Sequence, residues 1–384
     1  MKTLGLITLI LGLSHVGFAK ERKEQASVRT TMHEILFRMQ ALRPYMVSKE
    51  SFEDPKNEQK IAEQLTKLTQ LVKTAKHDKL SKAPGLRMSK QVLQEHLDDT
   101  TRIFKIGNKD YARWSLNSTF TICMSCHTQA PSESRNWSLI GFTKFGSDFE
   151  HAEFLFAARD FDHALEKYDV LIDGYPGNKI RALELEKSIE RKMAIFARVK
   201  RDFKGGLESV LRSQKNTELP QYVKKNLMAW EASFREAAKH SFPDPKTSND
   251  EQIEKYVTQE MKKGLWDRMI QAADPRLTKN LIISGILYEY LNLHPETKIR
   301  PNILFWLAQC DQTLNNNFFY SLSNIYLKEC MNHYPNHPVA KQCFKEYESN
   351  TLFSYSGSGG THVPSEVQKE LNNLRKKIYR ETVQ

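Results

Sequence analysis

Cysteine is scarce in this chain: 384 residues hold five, and none precedes position 123. That gap excludes an N-terminal lipidated cysteine. Long apolar runs are equally scarce. One stretch, Leu4 to Phe18, is apolar apart from small or polar residues, and it is too short for a convincing membrane span. No second Cys-x-x-Cys accompanies the first, so the paired spacing of a structural zinc site with four cysteines is missing. The catalytic signatures are missing too. There is no nucleophile-base-acid pattern, no paired-carboxylate pocket and no His-Glu-x-x-His, and Ser356-Gly357-Ser358-Gly359-Gly360 lacks the Lys of a phosphate loop. These gaps leave no basis for enzymatic chemistry built from side chains alone.

One chemical motif is present. Cys123-Met124-Ser125-Cys126-His127 has the Cys-x-x-Cys-His spacing that attaches a c-type haem. On a helical turn the two thiols face one side, where they can form thioethers with the two vinyl groups, and the adjacent His127 is placed to give the iron its proximal nitrogen. A redox dithiol is the competing reading. It calls for a βαβ setting, whereas the flanking pattern here is helical.

The N-terminus agrees with this chemistry. Lys2, the Leu4–Phe18 run and Gly17-Phe18-Ala19 before a charged stretch read as a secretory signal peptide over residues 1–19. The expected location is the periplasm, the protein released and soluble. The formal charge of +11 is uneven: residues 20–140 carry 21 Lys and Arg against 14 Asp and Glu. A basic haem domain can steer towards an acidic redox partner, although an ordinary solvated surface explains the charge equally well. Nucleic acid does not fit an exported protein.

Residues 20–135 are predicted to form a c-type haem domain of four amphipathic helices. The first, about 26–47, spaces Met32, Ile35, Met39, Leu42 and Met46 three and four apart. The second, about 58–76, repeats Ile61, Leu65, Leu68, Leu71 and Val72; Ala83-Pro84-Gly85 then interrupts. The third, about 89–106, carries Val92, Leu93, His96, Leu97, Ile103 and Phe104. The fourth runs from Asp110 to His127 and ends on the motif. Short links make such helices an antiparallel bundle. His96, Phe104, Trp114 and Phe120 are expected inside it, His96 as a hydrogen-bonded core residue.

A four-helix chain of this length with one Cys-x-x-Cys-His ending its last helix resembles the cytochrome c prime family and its low-spin relatives, over residues 25–130. In that family an apolar first-helix residue faces the open side of the iron in gas-binding members, and a methionine does so in electron-transfer members. With Pro44 matched to the proline near the end of that helix, the resemblance puts Met32 at the distal position. The family's arginine four residues before falls at Val28, with Arg29 one place off, and His127 is followed by Thr128-Gln129-Ala130-Pro131 in place of the family's tyrosine and arginine. Met39 and His33 are weaker candidates for the same role, and a methionine stripe at helical spacing is also ordinary core packing.

After a linker at Pro131-Ser132-Glu133-Ser134 the pattern becomes repetitive over 141–350. Ala164, Tyr168, Leu171 and Pro176 fall at the alanine, aromatic, aliphatic and proline sites of a tetratricopeptide repeat, and Trp306-Leu307-Ala308 with Tyr326 and Pro338 resemble a second, stretched one. Stacked hairpins of this kind offer a curved surface for a protein or peptide; a helical domain that only braces the bundle is the plainer alternative. Helices are also expected at 179–203, 207–212, 221–240, 249–273, 275–293, 301–314, 318–333 and 338–349. Among Cys310, Cys330 and Cys343, a turn near Pro335 makes Cys330 and Cys343 the better pair, with three buried thiols as the alternative. Residues 351–364 read as a Gly/Ser linker and 365–384 as a last amphipathic helix.

The sequence therefore predicts an exported, all-α, mono-haem protein: a four-helix bundle cytochrome domain followed by a tetratricopeptide-like α-solenoid. One covalent haem c would be held by Cys123, Cys126 and His127, with Met32 as sixth ligand, and the role would be electron transfer rather than an enzyme's. Two alternatives follow: a five-coordinate sensor or scavenger of nitric oxide or carbon monoxide, and an interaction scaffold with structural haem. A single haem motif disfavours a peroxidase.

Overall fold

The computed structural model describes residues 30–75, 84–129, 145–178, 180–266, 274–314, 318 and 320–379. The expected signal peptide at 1–19 and the expected linker at 131–134 lie outside them. The chain is mostly helical, with one two-stranded hairpin among the described residues. Its contacts divide into two compact units between Phe120 and Thr121.

The first unit contains α1 (30–47), α2 (Lys49–Glu53), α3 (Pro55–Thr74), α4 (Pro84–Lys105) and the greater part of α5 (Lys109–His127). The break expected after Val47 is a new helix start. Ser48 Oγ accepts the Ser51 N–H at 3.0 Å and opens α2, and Asp54 Oδ1 accepts the Lys56 N–H at 2.9 Å to open α3. Each cap satisfies a donor that the first helical turn leaves orphaned. Pro84, expected to interrupt, is instead the first residue of α4, where its missing N–H costs nothing. At the other end of α4, Gly107 turns the chain with φ +90°.

The first unit's core gathers Ile35, Met39, Leu42 and Met46 from α1, Phe52 from α2, Ile61, Leu65, Leu68 and Val72 from α3, Leu97 and Phe104 from α4, and Ala112 and Leu116 from α5. Phe52 and Phe104 meet edge to face at 5.5 Å. Arg113 donates to the Met46 carbonyl at 3.1 Å, placing a cation on the negative end of α1. His96 bonds the Ser115 carbonyl through Nε2 at 2.8 Å, as expected of a satisfied core histidine, and burial lowers its pKa. Trp114 corrects the sequence reading. It is 62% exposed and rests on Tyr111, itself 49% exposed, because the buried stripe of α5 consists of Ala112, Ser115, Leu116 and Thr119. These four lie at i, i+3, i+4 and i+7 on one stripe of the helix, and the two aromatics fall outside it.

The second unit continues from the last turn of α5 through α6 (Asp148–Ala157), α7 (Phe161–Asp173), α8 (Ala182–Ala194) with a π-helical turn at Ile195–Lys200, α9 (Phe203–Ser213), α10 (Gln221–Ala237), α11 (Asp250–Met261), α12 (Pro275–Leu293), α13 (Arg300–Leu314), α14 (Ser323–His333), α15 (Val339–Ser354) and α16 (Ser365–Ile378). Consecutive helices pack on one another in the pairs α6/α7, α7/α8, α9/α10, α12/α13, α13/α14, α14/α15 and α15/α16. Ala164, Tyr168 and Leu171 are buried, while Pro176 follows the end of α7. Gly285 lets α12 approach the π-helical turn, since a Cβ there would meet the Arg198 carbonyl at 2.5 Å. The expected glycine-serine linker is shorter than read. Helix α15 runs on to Ser354, and β1 (Ser356–Gly357) pairs antiparallel with β2 (Gly360–Thr361). Among the described residues no helix is long and apolar enough to cross a membrane.

Charges are buried in pairs. Lys192, 1% exposed, pairs with Asp169 and reaches Ser213 Oγ at 3.3 Å; burial lowers its pKa despite that partner. Arg191 pairs with Glu153 at 3.1 Å and also donates to the Phe318 carbonyl, while Tyr168 donates to Glu153 at 2.6 Å. Cys330 and Cys343 form a disulfide between α14 and α15 with Cα atoms 6.6 Å apart, and Cys310 is a buried thiol.

Two outcomes test this packing. Leu68→Ala, which empties a fully buried position, should cost about 2–5 kcal/mol in urea unfolding, whereas Trp114→Ala should stay within about 0.5 kcal/mol. Reducing the Cys330–Cys343 bridge should lower stability by about 2–4 kcal/mol, read as a fall in melting temperature that Cys343→Ala reproduces without reductant.

Candidate functional site

The motif occupies the last turn of α5, where Cys123, Cys126 and His127 are at i, i+3 and i+4 and so share one face. That face is half-buried, whereas Ile122, Met124 and Ser125 around it are buried. The helix packs its intervening residues and leaves the motif residues partly open. The two cysteines are not joined in a disulfide.

Burial pushes the Cys123 thiol up to about 12, with the neighbouring Cys126 adding to the effect. It is a neutral thiol in this setting rather than a standing nucleophile. That weakens the dithiol-redox reading, which depends on a thiol of lowered pKa. His127 moves the other way. Burial first, then the positive charge of Arg159, lowers its imidazole to about 4, so the ring is neutral at any ordinary pH.

One hydrogen bond settles which nitrogen carries the proton. His127 Nδ1 lies against the carbonyl of Ala157 at the end of α6, and a carbonyl can only accept, so Nδ1 holds the hydrogen and donates. The Nε2 lone pair is left available for a metal. A ring N–H given to a backbone carbonyl is the arrangement that orients a metal-binding histidine and raises its basicity.

The rest of the helix end is tied down as firmly. Ser125 Oγ lies 3.0 Å from both the Tyr320 and the Thr121 carbonyls, which share its one hydroxyl hydrogen. After His127 the chain closes on itself: the Thr128 N–H meets the Met124 carbonyl at 3.1 Å, and the Gln129 N–H meets that of Cys126 at 3.1 Å. Arg191 holds the neighbouring Phe318 carbonyl, so residues 318 and 320 are both anchored by side chains of this unit.

Met32 belongs to the first unit. It is half-buried on α1 and packs against the core, whereas Met39 and Met46 are 2% and 3% exposed within it. The methionine stripe is thus core at its second and third members, and Met32 alone of the three keeps appreciable surface. His33 is also half-buried. Ala157, Tyr320 and Arg159 had no signal in the sequence. The first two act through backbone carbonyls, which every residue carries, and Arg159 follows the motif by 32 positions. Among the described residues no cluster of three or more His, Cys, Asp and Glu could hold a bare metal ion. A haem brings its own equatorial nitrogens, so a single histidine suffices to fix it from one side.

No protein-family model, curated protein or solved structure matches the chain.

Proposed function

We propose that the protein is an exported mono-haem c-type cytochrome that transfers electrons. The observation that carries this reading is the His127 Nδ1–H bond to the Ala157 carbonyl, which leaves Nε2 for iron beside two thiols on the same helical face. Bound covalently, a haem would supply a reversible one-electron centre. Cys123 and Cys126 hold it, His127 supplies the proximal nitrogen, and Ala157 keeps that imidazole in one tautomer and orientation. No proton needs to move at His127, because its pKa lies far below neutrality.

The resemblance to the cytochrome c prime family assigns the sixth position to Met32, and the surface that Met32 retains supports it over Met39. The wider architecture in this proposal is a family-like bundle over α1–α5 and a tetratricopeptide-like solenoid over the later hairpins. The shared core of α1–α5 and the buried Ala164, Tyr168 and Leu171 support it. The solenoid would receive a protein or peptide, and the excess of Lys and Arg in residues 20–140 favours an acidic redox partner.

Two experiments test the proposal. Protein made in a periplasm with haem-attachment machinery should carry the mass of one haem, begin after residue 19, and lose the haem in Cys123→Ala/Cys126→Ala. An unmodified mass for the parent would contradict it. Met32→Ala should turn the reduced protein from inert towards carbon monoxide to fully reactive, as seen by absorption. An unchanged response would remove Met32 as ligand, and a parent already reactive would favour the gas-binding alternative.

A further inference from the structure

Within the second unit, the end of α10, α11 and the first turn of α12 line a pocket of about 40 Å³. Its lining joins two kinds of surface. Phe242 and Tyr256 form an aromatic wall, their rings edge to face at 6.1 Å, and the buried Ile282 lies on the same cavity. Glu236, Glu260 and Lys279 supply the charge, two carboxylates against one ammonium. Lys279 Nζ spans the carboxylates at 3.3 Å and 3.5 Å, longer than the about 2.7–2.9 Å of a strong charged hydrogen bond. Glu260 has Lys263 as a further partner outside the lining, so the half-exposed Glu236 keeps the greater accepting capacity. Deeper in the fold, Thr278 is 2% exposed and its hydroxyl oxygen has no hydrogen-bond partner. A buried hydroxyl left unpaired is costly and rare in a native fold, which points to a group that it meets from outside the chain. His240 adds another acceptor. Its Nδ1 donates to the Glu236 carbonyl at 2.9 Å, so Nε2 of the neutral ring carries a lone pair.

We propose that this pocket receives the guanidinium of an arginine side chain presented by a partner polypeptide. The groups with capacity to spare, Glu236, His240 and Thr278, all accept, so the occupant is a donor. Among the described residues no three His, Cys, Asp or Glu groups converge to hold a metal ion, which makes that donor an organic cation. Room for about three waters admits the head of a side chain rather than a whole cofactor. A flat guanidinium stacks against Phe242 and Tyr256 and sends N–H groups in several directions at once, whereas a lysine ammonium is a compact point charge. The inference needs no haem; it rests on the reading of the second unit as the receiver of a polypeptide and names the side chain that is read.

The test is saturation-transfer NMR on the full-length protein, titrated with acetyl-Gly-Arg-Gly-amide and with the same peptide carrying citrulline or lysine in place of arginine. Citrulline keeps the shape and removes the charge. The arginine peptide should bind about tenfold more tightly than the citrulline peptide and about threefold more tightly than the lysine peptide, with most saturation on the protons beside its guanidinium. Glu236→Gln should weaken the arginine peptide about threefold. Thr278→Val should weaken it about fivefold while melting no lower than the parent, because the hydroxyl it removes has no partner in the free protein. Equal transfer to all three peptides would overturn the arginine assignment while keeping a polypeptide receiver. Transfer to none would overturn the inference and take its support from that wider reading. Parent-like binding in both variants, or a Thr278→Val protein that melts well below the parent, would also overturn it. The covalent haem is read separately by mass on the same preparation, so the haem reading and this one fail independently.

Discussion

The contact on which the rest of the site depends is the one between the His127 imidazole and the carbonyl of Ala157. It fixes a tautomer, removes a rotational freedom from the ring and keeps a neutral lone pair ready in a buried setting. The two parts of that effect reinforce each other. Burial first, with the charge of Arg159 adding to it, keeps the imidazole uncharged, and a neutral imidazole in that setting with an unpaired N–H would be costly. The carbonyl removes that cost. The turn that supplies the carbonyl is itself held by the packing of α6 on α7 and by the Glu153, Tyr168 and Arg191 cluster.

The second unit invests heavily in buried polarity. Arg198 lies over the Tyr288 ring at 4.8 Å, Tyr288 and Tyr326 share a hydrogen bond at 2.7 Å, and burial raises the Asp311 carboxyl to about 6 although Arg198 and the Leu322 N–H oppose that rise. Lys192 and Arg191 are covered as deeply. Such groups contribute little net stability compared with apolar replacements, but each must find its partner, which penalises any other register of the helices. In a unit built from many consecutive packed helices this specificity has an evident use. The Cys330–Cys343 bridge fixes one of those pairs covalently.

Much of the architecture was legible in the residues. Apolar positions three and four apart marked α1 and α3, and the burial of Ile61, Leu65, Leu68 and Val72 follows that stripe. The better-placed cysteine pair is the one that is bridged. Other features were not legible, for definite physical reasons. Pro84 is a breaker within a helix and a good first residue of one, and periodicity does not say which applies. Trp114 is large and apolar, yet the buried face of α5 is the one that carries Ala112, Ser115, Leu116 and Thr119. At the site, the cysteines and the histidine announce themselves, while the groups that orient them are backbone carbonyls with no residue type of their own.

The central claim is that Cys123, Cys126 and His127 hold a haem, and the absorption spectrum of the purified protein tests it most directly. An intense haem band is expected that shifts and sharpens on reduction with dithionite and stays with the polypeptide through denaturation and acid-acetone extraction. A spectrum with aromatic absorption alone, from protein made where haem attachment is active, would contradict it.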